Sequence, residues 1–315
     1  MSLRSTHNAP APAWLVMAAF ASVYLIWGST YLGIRIAIET MPPFLMGAVR
    51  FLLAGLILYP VMRLCGAKRP EPVHWRSAFI IGALMILVGN GGVTWAELTV
   101  PSGVAALMIA AVPFWMVCIE ALRPNGNRPG ANAIMGLVLG FAGVSVLIGP
   151  GSLRGAGEFG VGIWAVLVAT LGWSLGSIYS RHAPQPESRL LSVAMQMIAG
   201  ALCQFVVAGA AGEFNGFQLA QVSTRSWWAF AYLTLVGSLV AFTAYVWLLK
   251  VSTPTRVSSY AYVNPLIAIV LGTTIGGEPF NSRCVLAAVL ILGAVVLITT
   301  APVSLPWRKP RIAEA

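Results

Sequence analysis

From Trp227 to Leu249 the chain carries no charged residue, and from Leu84 to Ala96 it carries none either. Uncharged apolar runs of this kind recur along the sequence, separated by short stretches holding charge, proline and glycine. A bilayer's hydrocarbon core takes about 20 apolar residues per spanning helix, whereas a helix on a soluble domain needs a wet face. The pattern predicts an all-α integral membrane protein. Punctuating at charges, prolines and loop residues predicts ten spans, at about 14–36, 43–63, 76–96, 101–121, 131–149, 160–180, 190–212, 226–249, 255–275 and 283–302. The connections are short, the longest being about a dozen residues after Gly212. None is long enough to fold alone.

Ten spans place both termini on one face. With that face cytoplasmic, fourteen of the 19 Lys and Arg fall on it, and four fall on the other side: Arg154, Arg225, Arg283 and Arg35 near the end of the first span. Cytoplasmic loops carry such an excess of Lys and Arg, so both termini are expected inside a cell inner membrane. Trp14, Trp75, Trp227, Trp228 and Trp307 sit at predicted helix ends, where an interfacial aromatic belt belongs. The apolar stretch from Trp14 has no small-residue cleavage site, so it reads as the first span and not as a removed signal peptide.

Composition agrees with this solvent. Charged residues are 9% of the chain, against roughly 25% in soluble domains. The formal net charge of +10 would point to nucleic acid in a soluble protein; here it sets orientation, and no nucleic-acid partner is expected. Cys65, Cys118, Cys203 and Cys284 form no CxxC and have no His nearby, so neither metal nor cofactor is expected.

The two halves echo each other in order. Leu25-Ile26-Trp27-Gly28-Ser29 in span one is matched by Leu171-Gly172-Trp173-Ser174 in span six. Pro101-Ser102-Gly103-Val104, running on to Pro113, is matched by Pro254-Thr255-Arg256-Val257, running on to Pro265. Trp95 and Glu97 precede the first as Trp247 and Lys250 precede the second. Five spans per half is an odd number, so the second half enters the membrane upside down. Inverted repeats recur in secondary transporters, with the substrate site near the midplane between them. The expected organisation is a cytoplasmic tail over 1–13, a first five-helix repeat over 14–149, an inter-repeat loop over 150–159, a second repeat over 160–302 and a basic cytoplasmic tail over 303–315.

Trp27-Gly28-Ser29, Arg50 in span two, Pro101-Ser102-Gly103-Val104 and the run Ser258-Ser259-Tyr260-Ala261-Tyr262-Val263-Asn264-Pro265 resemble the EamA family of the drug/metabolite transporter superfamily. The resemblance covers roughly residues 14–302 and implies the EamA fold of ten transmembrane helices in two inverted five-helix repeats. It also implies outward transport of amino acids, related amphipathic metabolites or drugs through a cavity lined by spans one, three, four, six, eight and nine.

Several residues are candidates for that work. Arg50 is the one charge well inside a span. It can anchor a substrate carboxylate in bidentate fashion or tie carbonyls freed at a helix end or proline kink. Trp27, Tyr31, Trp95, Trp173, Tyr260 and Tyr262 are aromatics away from the interface, and with Asn90, Ser177 and Asn264 they complete the candidate substrate-binding set for a small amphipathic molecule. Pro113 and Pro265, inside spans four and nine, each remove a backbone hydrogen bond and are candidate hinges. Gly89-Asn90-Gly91-Gly92 can open the backbone or allow close helix packing. Glu97 and Lys250 lie at span ends and read as interfacial, solvated groups. A proton route through Glu97 and simple facilitated exchange both remain open. The partners expected are a small-molecule substrate and the bilayer, with a homodimer left open.

Two motifs point elsewhere and fail. Gly172-Trp173-Ser174-Leu175-Gly176 fits GxSxG, but a serine hydrolase needs a strand-turn-helix elbow and a later acid and His, and no His follows His182. Gly155-Ala156-Gly157-Glu158-Phe159-Gly160 fits GxGxxG, but no strand precedes it. A membrane enzyme would need clustered acids or His, and a channel would need charge rings or a filter; neither is present in the sequence.

Overall fold

The computed structural model describes residues 12–109, 111–123, 130–154 and 156–275, together with positions 282, 285–286, 289–290, 293–294 and 296–297. Of the expected tails, residues 1–11 and the whole of 303–315 lie outside the described residues. So does most of the tenth span, whose described positions are helical.

The helices begin where the chain can cap them. Pro43 opens α2 (Pro43–Leu64) after α1 (Ala13–Ala37), and proline at a first helical position gives up no needed N–H. Glu71 and His74 close a reciprocal capping box at the start of α3 (Pro72–Ala96). After α4 (Ser102–Leu122), α5 (Ala131–Arg154) and α6 (Ala156–His182), Ser188 caps α7 (Arg189–Ala210) through the Leu191 N–H. Ser223 caps α8 (Thr224–Val251) through the Ser226 N–H. A single turn, Pro254–Val257, leads into α9 (Tyr260–Thr274).

Seven of these helices, α1 to α4 and α6 to α8, are long and apolar enough to cross a membrane, with mean hydropathies between 1.6 and 2.1. Shorter apolar helical stretches, Ile134–Gly143 and Val263–Thr274, lie in α5 and α9. No strand occurs among the described residues. The segment 150–159 departs from the expected loop: α5 runs on to Arg154 and α6 starts at Ala156. Glycine lowers helix propensity by only about 1 kcal/mol, less than an unsatisfied backbone group loses in an apolar setting.

The packing has a regular partner scheme. Helix α1 packs on α8 and α9, and α6 packs on α3 and α4. Helix α2 lies on α8, α7 on α3, and α2 and α7 pack on each other. Exchanging the first four helices for α6 to α9 leaves these pairings unchanged, while the further packing of α1 on α4 stands outside them. Two helices share a further feature: α3 is π-helical over Gly82–Gly91 and α8 over Leu233–Phe242, ten residues in each. The α3–α7 crossing depends on glycine, because a Cβ at Gly82 would stand 2.6 Å from the Gly200 backbone nitrogen.

Candidate functional site

The two π segments face a common cavity that is partly open to solvent. Gly89 and Asn90 of α3 and Gly237 and Phe242 of α8 are on its wall. Trp27, Tyr31, Arg50, Asn90, Trp173 and Tyr260, six residues singled out in the sequence, all line it. Helices from both halves of the chain therefore contribute to its lining.

Its aromatic side is a mutually packed group. The Trp27 ring meets Trp173 edge to face at 5.4 Å and 82°, and Tyr260 at 5.1 Å and 75°. Tyr245 stands against all three, 4.9 Å from Trp27, 5.4 Å from Trp173 and 5.5 Å from Tyr260. Edge-to-face pairs of this kind contribute about 0.5–1.5 kcal/mol beyond area burial. Each indole N–H is satisfied: Trp27 donates to the Gly237 carbonyl at 3.3 Å and Trp173 to the Tyr245 hydroxyl at 3.0 Å. Ser177 lies 2.8 Å from the same hydroxyl, so it acts from behind the aromatic wall and is not part of the lining. Gly89 makes the approach of α3 possible, since a Cβ there would be 2.9 Å from the Trp173 ring.

The polar side centres on Arg50, which is 2% exposed. Its Nε donates to Ser238 Oγ at 2.8 Å, and Ser238 donates in turn to the Leu233 carbonyl at 3.1 Å. The guanidinium lies against bare backbone at Gly237, where a Cβ would be 3.1 Å from Nη2. Arg50 Nη1 and Asn90 Oδ1 are both buried and have no hydrogen-bond partner among the described residues.

Other candidates stand elsewhere. Trp95 is 36% exposed and outside the lining. Asn264 is buried and, with its amide turned to donate, reaches the carbonyls of Tyr24 and Tyr260 at 3.1 Å each, which ties α9 to α1. The Tyr262 side chain lies outside the described residues. Pro113 lines up one turn beyond Ile109, whose carbonyl accepts from the Val112 N–H at 2.9 Å; the carbonyl that proline cannot serve is thus satisfied. Pro265 lies inside α9. Glu97 departs from expectation: it is wholly buried and not solvated. Gly162 lets α6 press onto the turn after α3, close to the Thr99 and Val100 side chains, while Arg35 donates to the Glu97 carbonyl at 2.6 Å. No metal-ligand cluster occurs among the described residues.

Tyr245, Ser238 and Phe242 carry much of the site and were not among the sequence candidates. They sit within an uncharged run whose apolar residues mask which face turns inward; a hydroxyl on that run is the signal that was available.

Comparison with known proteins adds identity to this geometry. The model of the EamA-like transporter family matches residues 13–149 and again 160–300. The uncharacterized inner membrane transporter YedA of Escherichia coli (strain K12) is 37% identical over 299 residues, covering 95% of this chain and 94% of that protein. A protein of the same strain named "Probable amino-acid metabolite efflux pump" is 23% identical over 304 residues, covering 91% and 94%. A crystal structure 20% identical in sequence superposes with a TM-score of 0.70, covering 91% of this chain and 98% of that one.

Proposed function

This chain belongs to the EamA-like transporter family, and from that premise we propose that it is a multi-pass inner-membrane carrier that exports small metabolites, amino acids or related amphipathic compounds, by alternating access. The names of the matched family and of its relatives, an EamA-like transporter family and an inner membrane transporter, support transport over catalysis. One observation carries the finer reading: a single cavity whose aromatic wall is built by Trp27 from one half and Trp173 from the other. A site shared between halves changes sides when the halves rock against each other.

The proposed architecture is ten spans in two inverted repeats, 14–149 and 160–302, with both termini cytoplasmic. Three features support it: the partner scheme that survives exchange of the halves, the paired π segments, and the two separate matches to one family model. Trp27, Tyr31, Arg50, Asn90, Trp173 and Tyr260 form the proposed substrate-contacting set, with Pro113 and Pro265 as pivots. Counterflow in vesicles tests the carrier reading, with substrates taken from metabolites that accumulate in medium of overexpressing cells and not of deleted cells. Exchange of labelled for unlabelled substrate is the expected result; flux without exchange identifies a channel and rejects the proposal.

A further inference from the structure

We propose that the cavity selects small monocarboxylates with a flat apolar body, the carboxylate seated on Arg50. The inference rests on the carrier reading of the same cavity and narrows its cargo. Arg50 is 2% exposed and lines the cavity. Only a neutral hydroxyl, Ser238 Oγ, takes its Nε, and Nη1 is left buried without a hydrogen-bond partner. No acidic side chain lines the cavity among the described residues. A buried cation facing a cavity with no counter-charge is costly, and a planar fork with a free edge matches a carboxylate. An incoming carboxylate supplies the missing charge and the missing acceptor together. A cationic amphiphile would instead add a second positive charge to the same space.

The remaining wall decides the body of the cargo. Trp27, Trp173 and Tyr260 present rings packed edge to face, so a flat apolar group lies against them as one more ring. Gly237 fixes the geometry, because its missing Cβ is what lets the guanidinium rest on the π segment of α8.

The test uses purified full-length protein and three probes that differ only in the head group: 3-phenylpropanoate, 3-phenylpropanamide and 3-phenylpropylammonium, titrated by calorimetry. The carboxylate is expected to bind roughly tenfold or more tighter than the amide, the gain typical of a hydrogen bond to a charged group, and the ammonium weakest. R50Q is expected to erase the gap between carboxylate and amide, and R50K to narrow it. Equal binding of the three heads, tighter binding of the ammonium, no carboxylate binding, or an unchanged gap in R50Q overturns the proposal. The head-group series on the unaltered protein decides the matter even where R50Q does not fold. Counterflow separates the two readings. Carboxylate binding without exchange rejects the carrier and keeps the site, whereas exchange of the amide or ammonium without the carboxylate keeps the carrier and rejects the site.

Discussion

Trp27 and Trp173, which hold matching places in the two halves of the chain, touch one another, ring edge to ring face at 5.4 Å. The cavity is therefore closed on one side by a pair of side chains that belong to different halves. Under the proposed rocking of one half on the other, these rings would have to slide or separate, so the pair would serve as cavity wall and as moving joint.

Substitution of this pair separates the two duties. Trp173→Phe keeps most of the ring but removes the donor to Tyr245, a loss of about 1 kcal/mol. It is expected to insert and fold and to transport at reduced rate. Trp27→Ala empties a site that is 8% exposed and is expected to destabilise by about 3–5 kcal/mol. Melting in detergent alongside counterflow checks both. Normal transport by Trp173→Phe would remove that indole from the translocation path.

Ser238 is the only side chain to which Arg50 donates among the described residues. Ser238→Ala leaves the Nε of a buried guanidinium unpaired, and stability is expected to fall by about 1–3 kcal/mol. Ser238→Thr keeps the hydroxyl and is expected to retain most of that stability. A thermal melt that does not distinguish Ala from Thr would show that the hydroxyl does not hold the guanidinium.

Much of this was legible beforehand because lipid restricts what a chain can do. The helices near α1, α6 and α7 follow from uncharged runs and α2 from an apolar run broken by Arg50; Trp27 and Trp173 stood out as aromatics away from the interface, and Arg50 as the one charge well inside a span. The π segments were not legible, since an apolar run reads alike in either hydrogen-bond register. Trp95 stood out only as an aromatic away from the interface, and its helical position argues against it. It lies two residues beyond Val93, a lining residue, in the α-helical stretch Gly92–Ala96, so it is turned about 200° from that face. Glu97 was misjudged for another reason: its depth depends on Gly162 and Arg35, which are distant in sequence.

Glu213, in the connection between α7 and α8, accepts from the Phe44 N–H at 3.2 Å and the Leu45 N–H at 2.7 Å, and so serves the first turn of α2. Burial raises its pKa from the usual 4.5, against the lowering effect of those two bonds. A carboxyl whose folded pKa is raised binds its proton more readily folded than unfolded. Stability is then expected to fall as pH rises through the window between 4.5 and the raised value. Glu213→Gln is expected to flatten that dependence in melts across the same window. An unchanged slope would assign the pH dependence to other groups.

Arg35 and Arg181 make the same contact in the two halves. Arg35 donates from α1 to the carbonyl of Glu97 at the end of α3, and Arg181 donates from α6 to the carbonyl of Leu249 near the end of α8, each at 2.6 Å. The second end is tied more firmly, because Arg181 also donates to the Ser252 carbonyl at 2.9 Å and Lys250 donates to the Ser180 carbonyl at 2.8 Å. Cations at helix C-termini meet the unsatisfied carbonyls and the negative end of the dipole. On the proposed inverted arrangement the two ties would lie at opposite faces of the membrane, each at a different end of the helix bundle. Arg35→Ala is then expected to open the outer end and Arg181→Ala the inner end. A shift of about 1.4 kcal/mol moves the balance roughly tenfold. The readout is labelling of Ala169→Cys, on the cavity wall, by an impermeant maleimide added outside cells whose other cysteines in this chain have been replaced. Labelling should rise with the first change and fall with the second. A change in the same direction for both would mean that the two arginines guard one face, and the inverted arrangement would fail with it.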